Sequence, residues 1–240
     1  MGGVLRSLRE MEARSIMGGL PERLQAVAGR VAAAALAAGR HAEGIRIVAV
    51  SKTFPPARIR EACAAGQRDF GENYLQEAVE KMDVLADLPI TWHYIGPIQS
   101  NKTRTIAERF HWVHSVDRLK IAERLSAQRP SGLPPLEICL QVNVSGEASK
   151  SGVAPGDVKA LAAAVAQLPN MRLRGLMAIP EPTVDVALQR RRFATLRQLR
   201  DATGLGLDTL SMGMSDDLES AVAEGATIVR VGRAIFGDRG

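Results

Sequence analysis

Two hydrophobic periods alternate along the chain from Leu20 onward. The stretch "LPERLQAVAGRVAAAALAAGR" places Leu20, Leu24, Val27, Val31 and Ala35 at helical spacing, with proline at its start and Gly39 near its end, and so predicts a leading helix. Residues 45–50, "IRIVAV", are short, β-branched and apolar on both parities, as in a parallel strand covered on both faces. "PPARIREACAAG" then returns to a helical pattern, with Pro56 at a tolerated first-turn position and Gly66 as a stop.

The same alternation continues to the C-terminus. Strand patterns occur at "RDFGE", "ITWHYIG", "FHWVHSVD", "LEICLQVNV", "LRGLMAIP", "DTLSMG" and "TIVRVG". Helical patterns lie between them, among them "NYLQEAVEKMDVLA", "VDRLKIAERLSAQ", "GDVKALAAAVAQL", "VALQRRRFATLRQLRDATG" and "SDDLESAVAEG". Strands alternating with helices require right-handed crossovers and a parallel sheet, and eight strands in ~220 residues fit a (β/α)8 TIM barrel. A doubly wound open sheet is the second choice. The expected organisation is a single barrel over residues 20–240, preceded by an extension over residues 1–19.

Composition narrows the class. Hydrophobic residues make up 46% of the 240, enough for a sizeable core, and no run approaches the apolar length of a membrane span. The N-terminal "MGGVLRSLREMEARSIMGG" mixes arginine with glutamate and lacks the apolar centre of a signal peptide. Cys63 and Cys139 lie far apart with no C-x-x-C spacing, which points to structural thiols and a cytoplasmic protein. A net charge of +5 allows nucleic acid or a small anion as partner. Aromatics are 4% of the chain and do not interleave with basic residues, and the densest basic run, Arg190 to Arg192, sits in a helical pattern, so nucleic acid is not expected.

Barrel enzymes build their sites from the loops that leave the C-terminal ends of the strands. Lys52 leaves the first strand with the parity of Val48 and Val50, which directs its amine into the barrel mouth. After the seventh strand, Ser215-Asp216-Asp217 is expected to open a helix with free N–H groups, and after the eighth, Gly232-Arg233 permits close approach of the backbone. The loops after strands seven and eight form the usual anion site of such barrels. Taken singly, Ser215 reads as a helix cap and Gly232 as a turn, and the two aspartates oppose an anion unless they point outward. An amine facing an anion cradle suits a Schiff base to a phosphorylated aldehyde, and pyridoxal 5′-phosphate (PLP) fits both ends.

The remaining polar candidates carry less chemistry. His111 and His114 are expected to face opposite sides of a strand, giving packing or surface roles and no metal pair. His93 is expected at the active end of the third strand, with Gln99, Asn101 and Lys102 nearby as supporting or partner-facing residues. Lys150 lies in a polar loop after the fifth strand.

The motifs "AVSKTFP", "FGENYLQEA", "WHYIGPIQSNK", "HSVD", "QVNVSGEASKSG", "RGLMAIP" and "LSMGMSDDLESAVAEGATIVRVGRAIFG" together resemble the YggS/PROSC family of pyridoxal phosphate homeostasis proteins, over residues 20–237. The resemblance implies a fold like the N-terminal barrel of alanine racemases, with the cofactor held as a Schiff base on Lys52. It further implies that Ser215 holds the phosphate with the backbone of Gly232 and Arg233, that Arg230 faces the pyridine nitrogen, and that Asn73 contacts the ring. Ser211 is implied as an additional phosphate neighbour. A guanidinium only donates, so Arg230 does not stabilise a pyridinium, and strongly carbanionic chemistry is disfavoured.

The implied role is a carrier that regulates intracellular PLP supply, with apo-enzymes that use PLP as candidate partners, no metal, and a monomeric state. A single-domain amino-acid racemase of weak activity is the alternative. Two-base racemisation needs a second acid/base, which alanine racemases take from a tyrosine of a second domain. The tyrosines here, Tyr74 and Tyr94, both fall in early barrel loops, and the chain is expected to offer no such domain after the eighth strand. A cofactor-free Schiff-base barrel of the aldolase kind is the third reading.

Overall fold

The computed structural model describes residues 18–146 and 151–238. Eight parallel strands close into a barrel in chain order: β1 (Arg46–Val50), β2 (Asp69–Glu72), β3 (Thr91–Tyr94), β4 (Trp112–Val116), β5 (Leu136–Gln141), β6 (Met171–Met177), β7 (Thr209–Ser211) and β8 (Ile228–Val231). The leading helix α1 (Leu20–Ala37) precedes them. A helix follows each of seven strands: α2 (Pro56–Ala64), α3 (Leu75–Val84), α4 (Thr103–Arg109), α5 (Leu119–Gln128), α6 (Val158–Val165), α7 (Val186–Ala202) and α8 (Leu218–Ala223). The short α9 (Arg233–Phe236) follows β8. The eight predicted strands and the TIM barrel are therefore present, and the open sheet is not.

Strand parity divides the hydrophobic residues. On β1, Ala49 faces the helices, whereas Val48 faces inward to join Trp112, Cys139, Met177 and Ile228 in a small interior cluster. The large outer core lies between strands and helices and is mainly aliphatic, with Ile138, Leu140, Leu176 and Leu210 among its fully buried members. Below the interior cluster the barrel is sealed by charge. The guanidinium groups of Arg46 and Arg174 lie 5.4 and 5.3 Å from the Trp112 ring centroid, Arg46 pairs with Asp69 (3.3 Å), and Arg174 pairs with Glu137 (3.1 Å) and Asp208 (2.6 Å).

Some expectations change. Helix α8 starts at Leu218, three residues after Ser215, because the Asp217 carboxylate accepts from the Met214 N–H (2.6 Å) and closes a turn ahead of the helix. Gly213, at φ +95°, permits that turn. Helices α4 and α9 were not predicted: the first is seven residues with only Thr103, Ile106 and Ala107 buried, and the second has four residues. The basic run on α7 is tied to its surroundings, with Arg190 on Glu224 (2.8 Å) and Arg192 on the Glu181 carbonyl (2.7 Å). Among the described residues, no helix is long and apolar enough to cross a membrane.

The leading helix braces the active end. Arg30 donates to the Ser215 carbonyl (2.9 Å) and to Glu219 (2.7 Å), so α1 grips the turn after β7 from outside. Arg40 does the same for the end of α8, donating to the carbonyls of Val222 and Ala226 (both 2.8 Å).

Candidate functional site

A cavity of about 500 Å³ opens at the C-terminal end of the barrel, between the loops after β1, β7 and β8. Five predicted ligand residues line it: Lys52, Ser215, Arg230, Gly232 and Arg233. The ends of β1 and β8 meet closely there, since a Cβ on Gly232 would lie 3.3 Å from the Val50 carbonyl oxygen. Glycine at this position lets the start of α9 sit against the strand that carries Lys52. The first N–H groups of a helix have no intrahelical acceptor, so this seam offers donors beside the lysine.

Each charged group has a distinct setting. Arg230 is buried in the cavity floor, where Nη1 donates to Ser211 Oγ (2.6 Å) and Nη2 to the Ala178 carbonyl (2.9 Å). Burial pulls its pKa down to about 10, opposed by the nearby Asp217 carboxylate, so the guanidinium stays charged at neutral pH. Arg233 lies on the rim in an ion pair with Asp216 (2.6 Å), with side chains 61% and 80% exposed. Asp216 thus points outward, as an anion site requires. Asp217 is turned into the loop and its carboxyl is pushed up by burial, partly offset by the Met214 N–H.

The loop that carries Lys52 is held from behind. Thr53 adopts a left-handed φ of 69°, a conformation that strains a β-branched residue, and its N–H donates to Glu77 Oε1 (2.6 Å). Buried Lys81 on α3 bonds Glu77, Glu72 (2.8 Å) and the Ser51 carbonyl (2.8 Å). Ser51 Oγ also donates to Glu72 Oε1 (2.6 Å). Burial pushes the Glu72 carboxyl up, and the Lys81 ammonium pulls it back. This cluster was not anticipated. The i, i+4 spacing of Glu77 and Lys81 was the available signal.

Asn73 and Ser211 do not line the cavity. Asn73 follows β2, and its buried Oδ1 has no hydrogen-bond partner among the described residues. Ser211 is fully buried at the end of β7, beneath Arg230, with both sides of its hydroxyl occupied. His93 is not at the active end of β3 but inside the strand and wholly buried, because its parity turns it into the barrel. His114 likewise faces inward, bonded to His93, and is neither surface nor apolar packing. His111 precedes β4 and accepts from the Trp92 N–H (3.0 Å). Gln99, Asn101 and Lys102 lie around a turn before α4 and are absent from the cavity lining. Lys150 and residues 1–17 fall outside the described residues. Tyr94 is buried with its hydroxyl on the Pro97 carbonyl (3.0 Å), and Tyr74 is exposed at the start of α3.

Known proteins resemble this chain in sequence and fold. A family model described as the alanine racemase N-terminal domain matches residues 24–240. The pyridoxal phosphate homeostasis protein of Pseudomonas aeruginosa is 68% identical over 223 residues, covering 93% of this chain and 97% of its own. This chain belongs to the pyridoxal phosphate homeostasis protein family. The Escherichia coli K12 member is 51% identical, covering 93% of this chain and 98% of its own. The solved structure of PipY of Synechococcus elongatus, with PLP bound, is similar to this chain with a TM-score of 0.79 at 39% identity, covering 91% of this chain and 100% of its own.

In that family setting the arrangement combines one primary amine, a hydroxyl, two guanidinium groups and a glycine seam around a single opening. Such a set can hold a phosphorylated carbonyl compound at both ends. Neither tyrosine lines the cavity. Among the described residues there is no cluster of three or more histidine, cysteine or acidic side chains suited to a metal ion.

Proposed function

We propose that this chain holds PLP in the barrel mouth and serves intracellular PLP supply as a carrier. The observation that carries the proposal is the convergence of Lys52, Ser215, Arg230, Gly232 and Arg233 on one cavity of about 500 Å³. The solved relative with PLP bound supports it. The close seam at Gly232 also fits such a ligand.

Lys52 would hold the aldehyde end of PLP through its primary amine, as a Schiff base. Ser215 and the backbone N–H groups of Gly232 and Arg233 hold the phosphate, with the Arg233 guanidinium adding charge at the rim. Arg230 donates to the ring nitrogen from the cavity floor. Asn73, whose side chain stands outside the cavity lining, would have to turn inward to reach the ring. Ser211 reaches the ligand through Arg230 and not as a direct phosphate contact, because Arg230 covers it. When bound, PLP supplies an electrophilic carbon and an electron-withdrawing ring.

Arg230 argues for a carrier over an enzyme of high turnover. A charged guanidinium only donates and cannot accept a hydrogen bond from a protonated ring nitrogen, so that nitrogen stays unprotonated and the ring a weak electron sink. Racemisation needs a second acid/base across from Lys52, and the tyrosines are placed elsewhere. We place the protein in the cytoplasm as a monomer that delivers PLP to apo-enzymes.

Borohydride reduction, digestion and mass spectrometry of the purified protein test the proposal. The expected product is one reduced PLP adduct on Lys52, absent in Lys52→Ala. A protein that stays colourless after PLP addition, or an adduct confined to another lysine, overturns it.

A further inference from the structure

The interior of a barrel of this kind is ordinarily filled with branched apolar side chains. Here a file of polar groups crosses it. Arg230 Nη1 lies 2.6 Å from Ser211 Oγ, Ser211 Oγ lies 2.7 Å from His114 Nδ1, His114 Nε2 lies 2.9 Å from His93 Nδ1, and His93 Nε2 lies 2.9 Å from Asp69 Oδ1. His93, His114 and Ser211 are fully buried. The file starts in the cavity floor and ends at the opposite, charge-sealed side of the barrel, where Asp69 pairs with Arg46.

The two ends fix the direction of every bond. A guanidinium can only donate, and an ionised carboxylate can only accept. A neutral imidazole has one donor and one acceptor. With His93 donating from Nε2 to Asp69, its Nδ1 must accept, so His114 donates from Nε2. His114 Nδ1 then accepts the Ser211 hydroxyl hydrogen. The Ser211 oxygen is left with its lone pairs toward Arg230. One pattern satisfies all members, and it runs from Arg230 down to Asp69.

We infer that Asp69, His93, His114 and Ser211 are positioning residues that lock Arg230 against the ring of the bound ligand, an inference that rests on the PLP reading of the cavity. Ser211 and the Ala178 carbonyl hold the two terminal nitrogens of the guanidinium, and the histidines stop the serine hydroxyl from rotating away. The charged and titratable groups around the histidine pair are Arg46 on β1, Asp69 on β2, His111 before β4 and Arg230 on β8. Burial holds both rings below the ordinary histidine range, His114 further because His93, Arg230 and Arg46 also oppose its charge. Both rings are therefore neutral at pH 7, as the single pattern demands.

The test combines ring NMR with ligand binding. In ¹⁵N-labelled protein without PLP at pH 7, His93 and His114 should both appear as neutral Nε2–H tautomers; a charged ring or an Nδ1–H tautomer at either position overturns the inference. His114→Leu cuts the file and should weaken PLP binding about tenfold and shift the absorption maximum of the bound form, with Lys52 still labelled by borohydride. His114→Gln, whose amide both accepts and donates, should stay within about twofold of wild type. Wild-type affinity and spectrum in His114→Leu would reduce the file to packing.

Where His114→Leu does not fold, Asp69→Ala removes the terminal acceptor at the far end. It should mix the tautomers of both rings and weaken PLP binding about threefold; unchanged rings and affinity overturn the inference. Failure of Lys52 labelling in the wild type sinks the PLP reading instead, and the tautomer result stands apart from it.

Discussion

The outside and the inside of the barrel wall are built from the same strands but from different chemistry. Outward residues such as Ala49, Ile138, Leu140 and Leu210 pack aliphatically against the helices. Inward residues begin with Val48 and Trp112 and pass into His93, His114, Ser211 and Arg230. Apolar burial contributes roughly 25 cal/mol per Å², so the outer layer is where folding free energy accumulates. A buried polar network, by contrast, is often replaceable by apolar groups with little loss of stability. Two layers within one wall thus divide stability from ligand geometry.

The largest effect that would test this division is on stability. Leu140→Ala empties a fully buried outer position and should cost about 2–5 kcal/mol in urea unfolding. The folded fraction should keep the wild-type histidine tautomers and Lys52 labelling. His114→Leu should instead disturb the tautomers and weaken PLP binding in its folded fraction, whatever its unfolding midpoint, because His93 Nδ1 and the Ser211 hydroxyl lose their buried partner. If Leu140→Ala disturbs the tautomers as much as His114→Leu does, the two layers are one mechanical unit.

A smaller effect concerns pH. Burial lowers the folded-state pKa of both His93 and His114, so below the unfolded value of about 6.5 the unfolded chain binds protons that the folded chain does not. Stability is then full above that pH and is lost as pH falls through it, by up to about 1.4 kcal/mol per pH unit for each ring. His111, also lowered by burial, acts in the same direction. The buried carboxyls Glu72 and Asp217 have raised pKa values and act in the opposite direction, since there the folded chain takes up protons before the unfolded one does. Urea unfolding at pH 7.5, 6.5 and 5.5 should show the decline, and His114→Gln should make it shallower. A flat profile in the wild type would mean that the inner file takes up protons without penalty.

The same division explains what the sequence made legible. The outer layer announced itself by period, because every strand and most helices expose an apolar face to each other, and so eight strands and the closed barrel could be read directly. The rim was legible too, since Lys52, Ser215 and Gly232 follow strands in the order that a barrel demands. Helix α4 escaped because its buried face is only Thr103, Ile106 and Ala107 within seven residues.

The inner file escaped for a different reason. His93 and His114 meet only because β3 and β4 pair with His93 opposite Trp112, a register set by three-dimensional closure and not by local pattern. What could have flagged them is parity. His93, Ser211 and Arg230 sit within strands between apolar neighbours of the other parity, and Asp69 and His114 have one such neighbour each, Phe70 and Val113. The sequence places a helix start at Ser215, but the Asp217 carboxylate, which can cap either the helix or the turn before it, takes the turn.

The smallest expected effect comes from the rim, where Asp216 and Arg233 form an exposed pair. Exposed pairs contribute roughly 0–1 kcal/mol, so Asp216→Asn should leave the unfolding midpoint within about 0.5 kcal/mol of wild type. Its effect on the ligand has a different origin. The carboxylate neutralises Arg233 and places a negative charge beside the proposed phosphate, so its removal should tighten PLP binding about two- to threefold at low salt. At about 0.5 M salt the screening length is only a few Å, and the gain should shrink. The buried file has no such sensitivity, because solvent ions do not reach His93 or His114. A loss of affinity in Asp216→Asn would show that Arg233 needs its partner to stay in place. The rim would then position its cation by the same means as the barrel interior, and the contrast between floor and rim would fail.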